Sequence, residues 1–152
     1  IQRKIWCFIM DYLKVLVEEI HSVVVATVDE TGHPHTAVMD MMWEDGKTVY
    51  FLTADFKPLY KRLKEDGRVA VTGMTQGAGT MDRKSISLTG QVEWIGKEHL
   101  EELLKANPYM YEIYPTEEGR SHLQVFRFKN AVGNFYDLTQ LPPYQARFEI
   151  EG

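Results

Sequence analysis

Between Thr53 and Lys57 an apolar run, TVYFLT, ends in a hydroxyl, and a helix-forming stretch, KPLYKRLKEDG, opens on a lysine. The first N–H groups of a helix lack intrahelical acceptors and lie at the positive end of its dipole, so such a junction attracts anions. Thr53 can add a donor and Lys57 a full charge, with Lys61 and Arg62 one turn further on. That set suits a phosphate monoester. The same residues also fit an ordinary solvated helix whose N-cap is filled by Asp55.

Other constellations are less specific. His33 and His35 flank Pro34 at i and i+2, which places two imidazoles on one side of an extended segment. A metal needs a third ligand, and the remaining histidines are His21, His99 and His122, so a turn-edge pair is expected and no metal site is assigned. Met39, Met41 and Met42 with Trp43 can fill a core or line a pocket for a planar ring. Asp40 among them must face water or meet a donor. Gly77 and Gly79 in QGAGT lack the third glycine and the strand-to-helix setting of a dinucleotide loop. Cys7 is the only cysteine, which excludes an internal disulfide and a four-cysteine zinc or iron–sulfur centre within the chain. No nucleophile–base order or carboxylate pair stands out, so no catalytic residue is named.

The elements that must position these groups follow from periodicity. Residues 2–20 carry an apolar stripe (Ile5, Phe8, Ile9, Tyr12, Leu13, Leu16, Val17, Ile20) at helical spacing. Trp6 and Met10 widen the stripe and point to a second packing partner. From His21 the period shortens: SVVVATV (22–28), PHTAVMDMMW (34–43) and TVYFLT (48–53) read as a three-strand meander with turns at 29–32 and 44–47. A helix over 57–67 is closed by Gly67, a strand covers 68–74, and 75–82 is a loop. Residues 85–94 alternate apolar and polar in strict order, and a helix over 97–107 is stopped by Pro108. LQVFRF (123–128) and AVGNFYDL (131–138) read as a hairpin turning at Lys129-Asn130, and 140–152 reads as an irregular tail. Six or seven antiparallel strands with peripheral helices make a small β-barrel, in one domain over 1–152.

The 152 residues carry 17 Lys+Arg against 22 Asp+Glu, for a formal charge of −5. An acidic chain lacks the basic face that a general nucleic-acid binder needs. With 44% hydrophobic and 26% charged residues, composition is that of a folded domain and not a disordered segment. The apolar stretch 5–17 is broken by Asp11 and Lys14 and is shorter than the roughly 20 residues a bilayer requires, so no membrane partner and a cytoplasmic location are expected.

Residues 23–71 resemble the pyridoxamine 5′-phosphate oxidase-like family of FMN-binding split barrels. The resemblance rests on ATVDETGHP (26–34), FLT (51–53), LKEDGRVAV (63–71) and SISLTGQVEW (85–94), with GNFYDLT (133–139) matching the closing strand. The pieces in this order span residues 22–139. The resemblance implies a split β-barrel that pairs into a homodimer, with FMN in a groove at the subunit interface. It implies that the strand at Val38, Met39 and Asp40 presents its backbone to the isoalloxazine ring, that Thr53 and Lys57 hold the ribityl phosphate, and that Ser85 faces the flavin. A flavin-dependent oxidoreductase of unassigned substrate and electron partner follows; the alternative is a non-catalytic module holding flavin or haem, and a deazaflavin would fit the same groove. The arginine by which members bind pyridoxamine phosphate falls here at Thr36 or Ala37, and their C-terminal arginine–histidine motif is missing. Oxidation of pyridoxamine phosphate itself is therefore not expected.

Overall fold

In the computed structural model, which describes residues 11–151, the helical stripe reaches the barrel through Leu13, Leu16 and Ile20. Its last turn widens into a π-helix over Val15–Ile20, where the His21 N–H donates to the Leu16 carbonyl at 2.8 Å. The readings of Ile5, Trp6, Cys7, Phe8, Ile9 and Met10 lie outside the described residues.

The strands are β1 (Ser22–Val28), β2 (Pro34–Asp40), β3 (Trp43–Glu44), β4 (Val49–Ala54), β5 (Arg68–Met74), β6 (Lys84–Gly96), β7 (Leu123–Asp137) and β8 (Tyr144–Glu151). The helices are α1 (Pro58–Glu65), α2 (Leu100–Ala106), α3 (Met110–Ile113) and α4 (Glu117–Arg120). All pairings are antiparallel in one eight-stranded sheet of order β2-β1-β5-β6-β7-β4-β3, with β8 added to β7. The long strands β6 and β7 bend at irregularities beside Gln91/Val92 and Trp94/Gly96, which curl the sheet into the expected split barrel.

Two apolar clusters explain the sequence pattern. Inside the barrel, Val23, Val25, Phe51, Val71, Leu88 and Phe126 meet Leu13 and Leu16 of the N-terminal helix. Outside it, Tyr50, Leu52 and Val125 meet Leu103, Leu104 and Met110. Every residue of β4 is buried because one face looks into the barrel and the other lies under the helices. Hence its run is continuously apolar instead of alternating.

Three sequence expectations are corrected. The strand expected over 34–43 stops at Asp40, because the backbone changes partner there: the Met41 N–H donates to His21 O at 2.7 Å and the Met42 N–H to Tyr50 O at 3.0 Å. The hairpin expected at Lys129-Asn130 is instead one strand of 15 residues. Gln91 pairs with Asn130 and Val92 with Phe128, so Lys129 is the extra residue of a bulge. Gly90 permits the close approach, since a Cβ there would lie 2.1 Å from the Asn130 oxygen. The irregular tail holds strand β8, whose Phe148 and Ile150 point into the barrel core while Arg147, Glu149 and Glu151 stay outside.

Candidate functional site

The sheet leaves a seam. β2 pairs on one edge only, with β1, and the last residues of β4, Leu52–Ala54, pair only with β7. Between these free edges lies a groove of about 490 Å³, lined on one side by Ala37, Val38, Met39 and Asp40 and on the other by Leu52, Thr53, Lys57 and Arg62. Five of the six residues expected at a cofactor site, Val38, Met39, Asp40, Thr53 and Lys57, therefore share one cavity. Ser85 does not line it; it sits on β6 between Met74 and Tyr136.

The α1 start supplies the anion-attracting end. Lys57 occupies the N-cap position in extended conformation, Pro58 stands in the first turn, and no side chain caps the helix. Asp55 does not fill that role, contrary to the sequence expectation. Its carboxylate accepts instead from His122 Nδ1 at 2.9 Å and Gln124 Nε2 at 3.3 Å. Arg62, one turn on, donates from Nε to Thr27 Oγ1 at 2.8 Å, which anchors the guanidinium at the groove wall. Lys61 faces away, 3.7 Å from Glu30.

On the opposite wall Met39 is buried, whereas Val38 is 73% exposed. Asp40 meets the donors its setting demanded: Ser22 Oγ at 2.7 Å on Oδ1 and the Tyr109 hydroxyl at 2.8 Å on Oδ2. Burial, and after it the bond to Asp40, push the Tyr109 phenol well above its ordinary value. Two residues before Tyr109, the buried Asn107 Nδ2 donates to the carbonyls of Met42 and Leu103 at 2.9 and 2.8 Å.

Sequence reasoning missed the floor of the groove, made by Met110, Ile113 and Tyr114 around α3. The run PYMYEIY after Pro108 was the available signal, being too aromatic for a plain connection. His33 and His35 stand apart from the groove at the turn edge: His33 Nδ1 lies 2.7 Å from Thr31 Oγ1 and His35 Nε2 2.8 Å from Asp29 Oδ2. That bond to His35, ahead of those from Thr31, holds the Asp29 carboxyl well below the usual carboxylate range. Met41 is core, while Met42, buried in the outer cluster, also lines the groove. Among the described residues no His, Cys, Asp and Glu side chains cluster as a metal would require.

A sequence profile of the pyridoxamine 5′-phosphate oxidase family matches residues 9–136. The chain belongs to that family. No curated protein sequence matches it at a significant level. Among solved structures, a NimC/NimA family protein from Clostridium acetobutylicum superposes with a TM-score of 0.76 at 20% identity, over 98% of this chain and 97% of that one. A general stress protein 26-related protein of the pyridoxinephosphate oxidase family, also from Clostridium acetobutylicum, gives 0.66 at 21% identity, over 95% and 96%. The haem storage protein HutZ from Vibrio cholerae gives 0.57 at 16% identity, over 91% and 92%. At these identities the likeness is one of fold. Ala37 lines the groove, and Thr36 lies exposed beside it.

Proposed function

We propose that the groove holds FMN and that the protein is a flavin-dependent oxidoreductase working as a homodimer. One observation carries the reading: a single cavity joins an uncapped helix start bearing Lys57, with Arg62 one turn on, to the apolar wall of β2 at Val38 and Met39. Its size falls within the about 300–1,000 Å³ typical of cofactor pockets. Lys57, Arg62 and Thr53 would hold the phosphate, while Val38, Met39 and the floor residues exclude water from the ring. The flavin, when bound, supplies the electron-transfer chemistry, and the chain supplies orientation and charge.

The second copy would cover the outer face of the sheet. There Val38, Val24, Thr72 and Ser87 form an uncharged row across β2, β1, β5 and β6, with Met74 and Val132 exposed beside it. Ser85 lies on that face and would reach a flavin only across such an interface. Neither Thr36 nor Ala37 carries the charge of an arginine, so pyridoxamine phosphate is not the proposed substrate.

The second reading is a non-catalytic holder of flavin or haem. It draws on the shared fold with the haem storage protein and on Met39, Met42 and Met110 at the groove, since a thioether can ligate haem iron. The absorption spectrum of the protein after incubation with FMN and gel filtration separates the readings. Retained flavin bands that bleach under a reduced nicotinamide support the oxidoreductase. Retained bands that do not bleach favour a holder, a Soret band favours haem, and a colourless protein sinks the FMN reading.

A further inference from the structure

His21 has an unusual backbone and a crowded ring. Its φ of 62° and ψ of −64° put a non-glycine residue where L-amino acids seldom go, and such strain persists only where the surroundings enforce it. The enforcing contacts are the π-turn bond from its N–H to Leu16 and the acceptance of the Met41 N–H by its carbonyl. Together they aim the imidazole along a chain of groups. Nδ1 lies 3.0 Å from the Val17 carbonyl, Nε2 lies 2.7 Å from the Tyr109 hydroxyl, and that hydroxyl lies 2.8 Å from Asp40 Oδ2 at the groove edge. His21 itself opens on a different cavity of about 490 Å³.

The donors and acceptors of this chain do not match in a fixed way. A carbonyl only accepts, so Nδ1 must carry a hydrogen. Tyr109 has one hydrogen and two neighbours that want it. With a singly protonated imidazole, Nε2 and Asp40 Oδ2 compete for that hydrogen, and only one of them can take it. With a doubly protonated imidazole, Nε2–H donates to the Tyr109 oxygen and the phenolic hydrogen turns to Asp40.

We propose that His21 and Tyr109 are positioning residues that act through Asp40: the proton occupancy of the imidazole sets the hydrogen bonding of the groove's carboxylate and the net charge of the three side chains, and with them the groove's hold on an anionic flavin. The ligand named here rests on the FMN reading above. One proton enters from solvent, one N–H bond forms at Nε2, and the net charge of the three side chains, with Asp40 as carboxylate, goes from one negative to none. Among the described residues, the other ionisable groups facing His21 are Asp40, 3.6 Å from Nε2, and Glu18 and Glu44, which line the same cavity.

Carbon-13 NMR of the cofactor-free protein tests the coupling. The Asp40 carboxyl and Tyr109 phenol carbons should shift with the midpoint of the His21 ring and lose that step in His21→Asn, a side chain that tolerates positive φ. Signals that stay flat through the His21 titration overturn the proposal whatever the protein binds. For the ligand, FMN affinity is followed by fluorescence across the same pH range in wild type and variant, where the titration of the FMN phosphate cancels in the ratio. As pH rises the wild type should lose roughly threefold to tenfold in affinity relative to His21→Asn. A constant ratio overturns the tuning. Tyr109→Phe, which keeps the ring packing and the His21 ring 3.6 Å from Asp40, serves as the second variant: the His21 midpoint stays readable while the Asp40 carboxyl step should shrink, and an undiminished step overturns the relay through Tyr109. No FMN uptake at any pH defeats the cofactor reading and the tuning of FMN with it, while the carbon-13 shifts still decide whether the three side chains share the proton.

Discussion

Lys57 and Arg62 differ in how their charge is held, and the difference governs what each can do. Arg62 is anchored by Thr27 before any ligand arrives, whereas Lys57 is an exposed side chain at the N-cap position with no such tether. An anion would therefore find Arg62 in place and would have to order Lys57. Lys57→Ala removes one charge-assisted contact and should weaken FMN binding by about 1.5–2.5 kcal/mol, roughly tenfold to seventyfold in a flavin fluorescence titration. An unchanged dissociation constant would take Lys57 out of the site. Most of the site's chemistry was legible at this scale, since Thr53, Lys57 and Arg62 announce themselves by type and spacing. The Asp55 misreading has a simple cause: Asp55 met His122 and Gln124, partners far away in sequence that no local rule could supply.

At the scale of elements, local patterns gave most strands and their faces but neither β8 nor where strands end. A bulge and a hairpin turn both interrupt alternation, and only the register against β6 tells them apart at Lys129. The bulge depends on a bare Gly90 against Asn130 and Ala131, the latter with its Cα 2.6 Å from where a Cβ would sit. Gly90→Ala should thus force the two long strands apart and cost roughly 2 kcal/mol or more. For a domain of this length that is a fall of about 4–8 °C in the thermal midpoint. A midpoint within a degree of wild type would show that β6 and β7 absorb the methyl freely. Strand β8 escaped the sequence reading because two prolines and a charged outer face mask its alternation of Ala146, Phe148 and Ile150.

The whole molecule raises the question of what covers its uncharged sheet face. No helix among the described residues is long and apolar enough to cross a membrane. Val38, at once a groove residue and more exposed than its row neighbour Val24, would tie the proposed ligand binding to the proposed second copy. Val38→Asp should lower the mass seen by light scattering from two chains to one and abolish FMN retention, because a desolvated carboxylate at the interface lacks a partner. A variant that stays dimeric would place the interface elsewhere. A monomer that keeps its flavin at full affinity would make the groove self-sufficient.

The amino-acid sequence by itself determined the class of fold, the family and the chemical types at the groove, because periodicity, turn residues and charge are local properties of the chain. Tertiary structure alone decided that five of the expected residues meet in one seam while Ser85 stands apart. It also decided that Asp40 ends a chain leading through Tyr109 to His21. Those contacts join positions 21, 40 and 109, and a link of that kind exists only once the sheet has brought the end of β2 and the chain before α3 to the same corner.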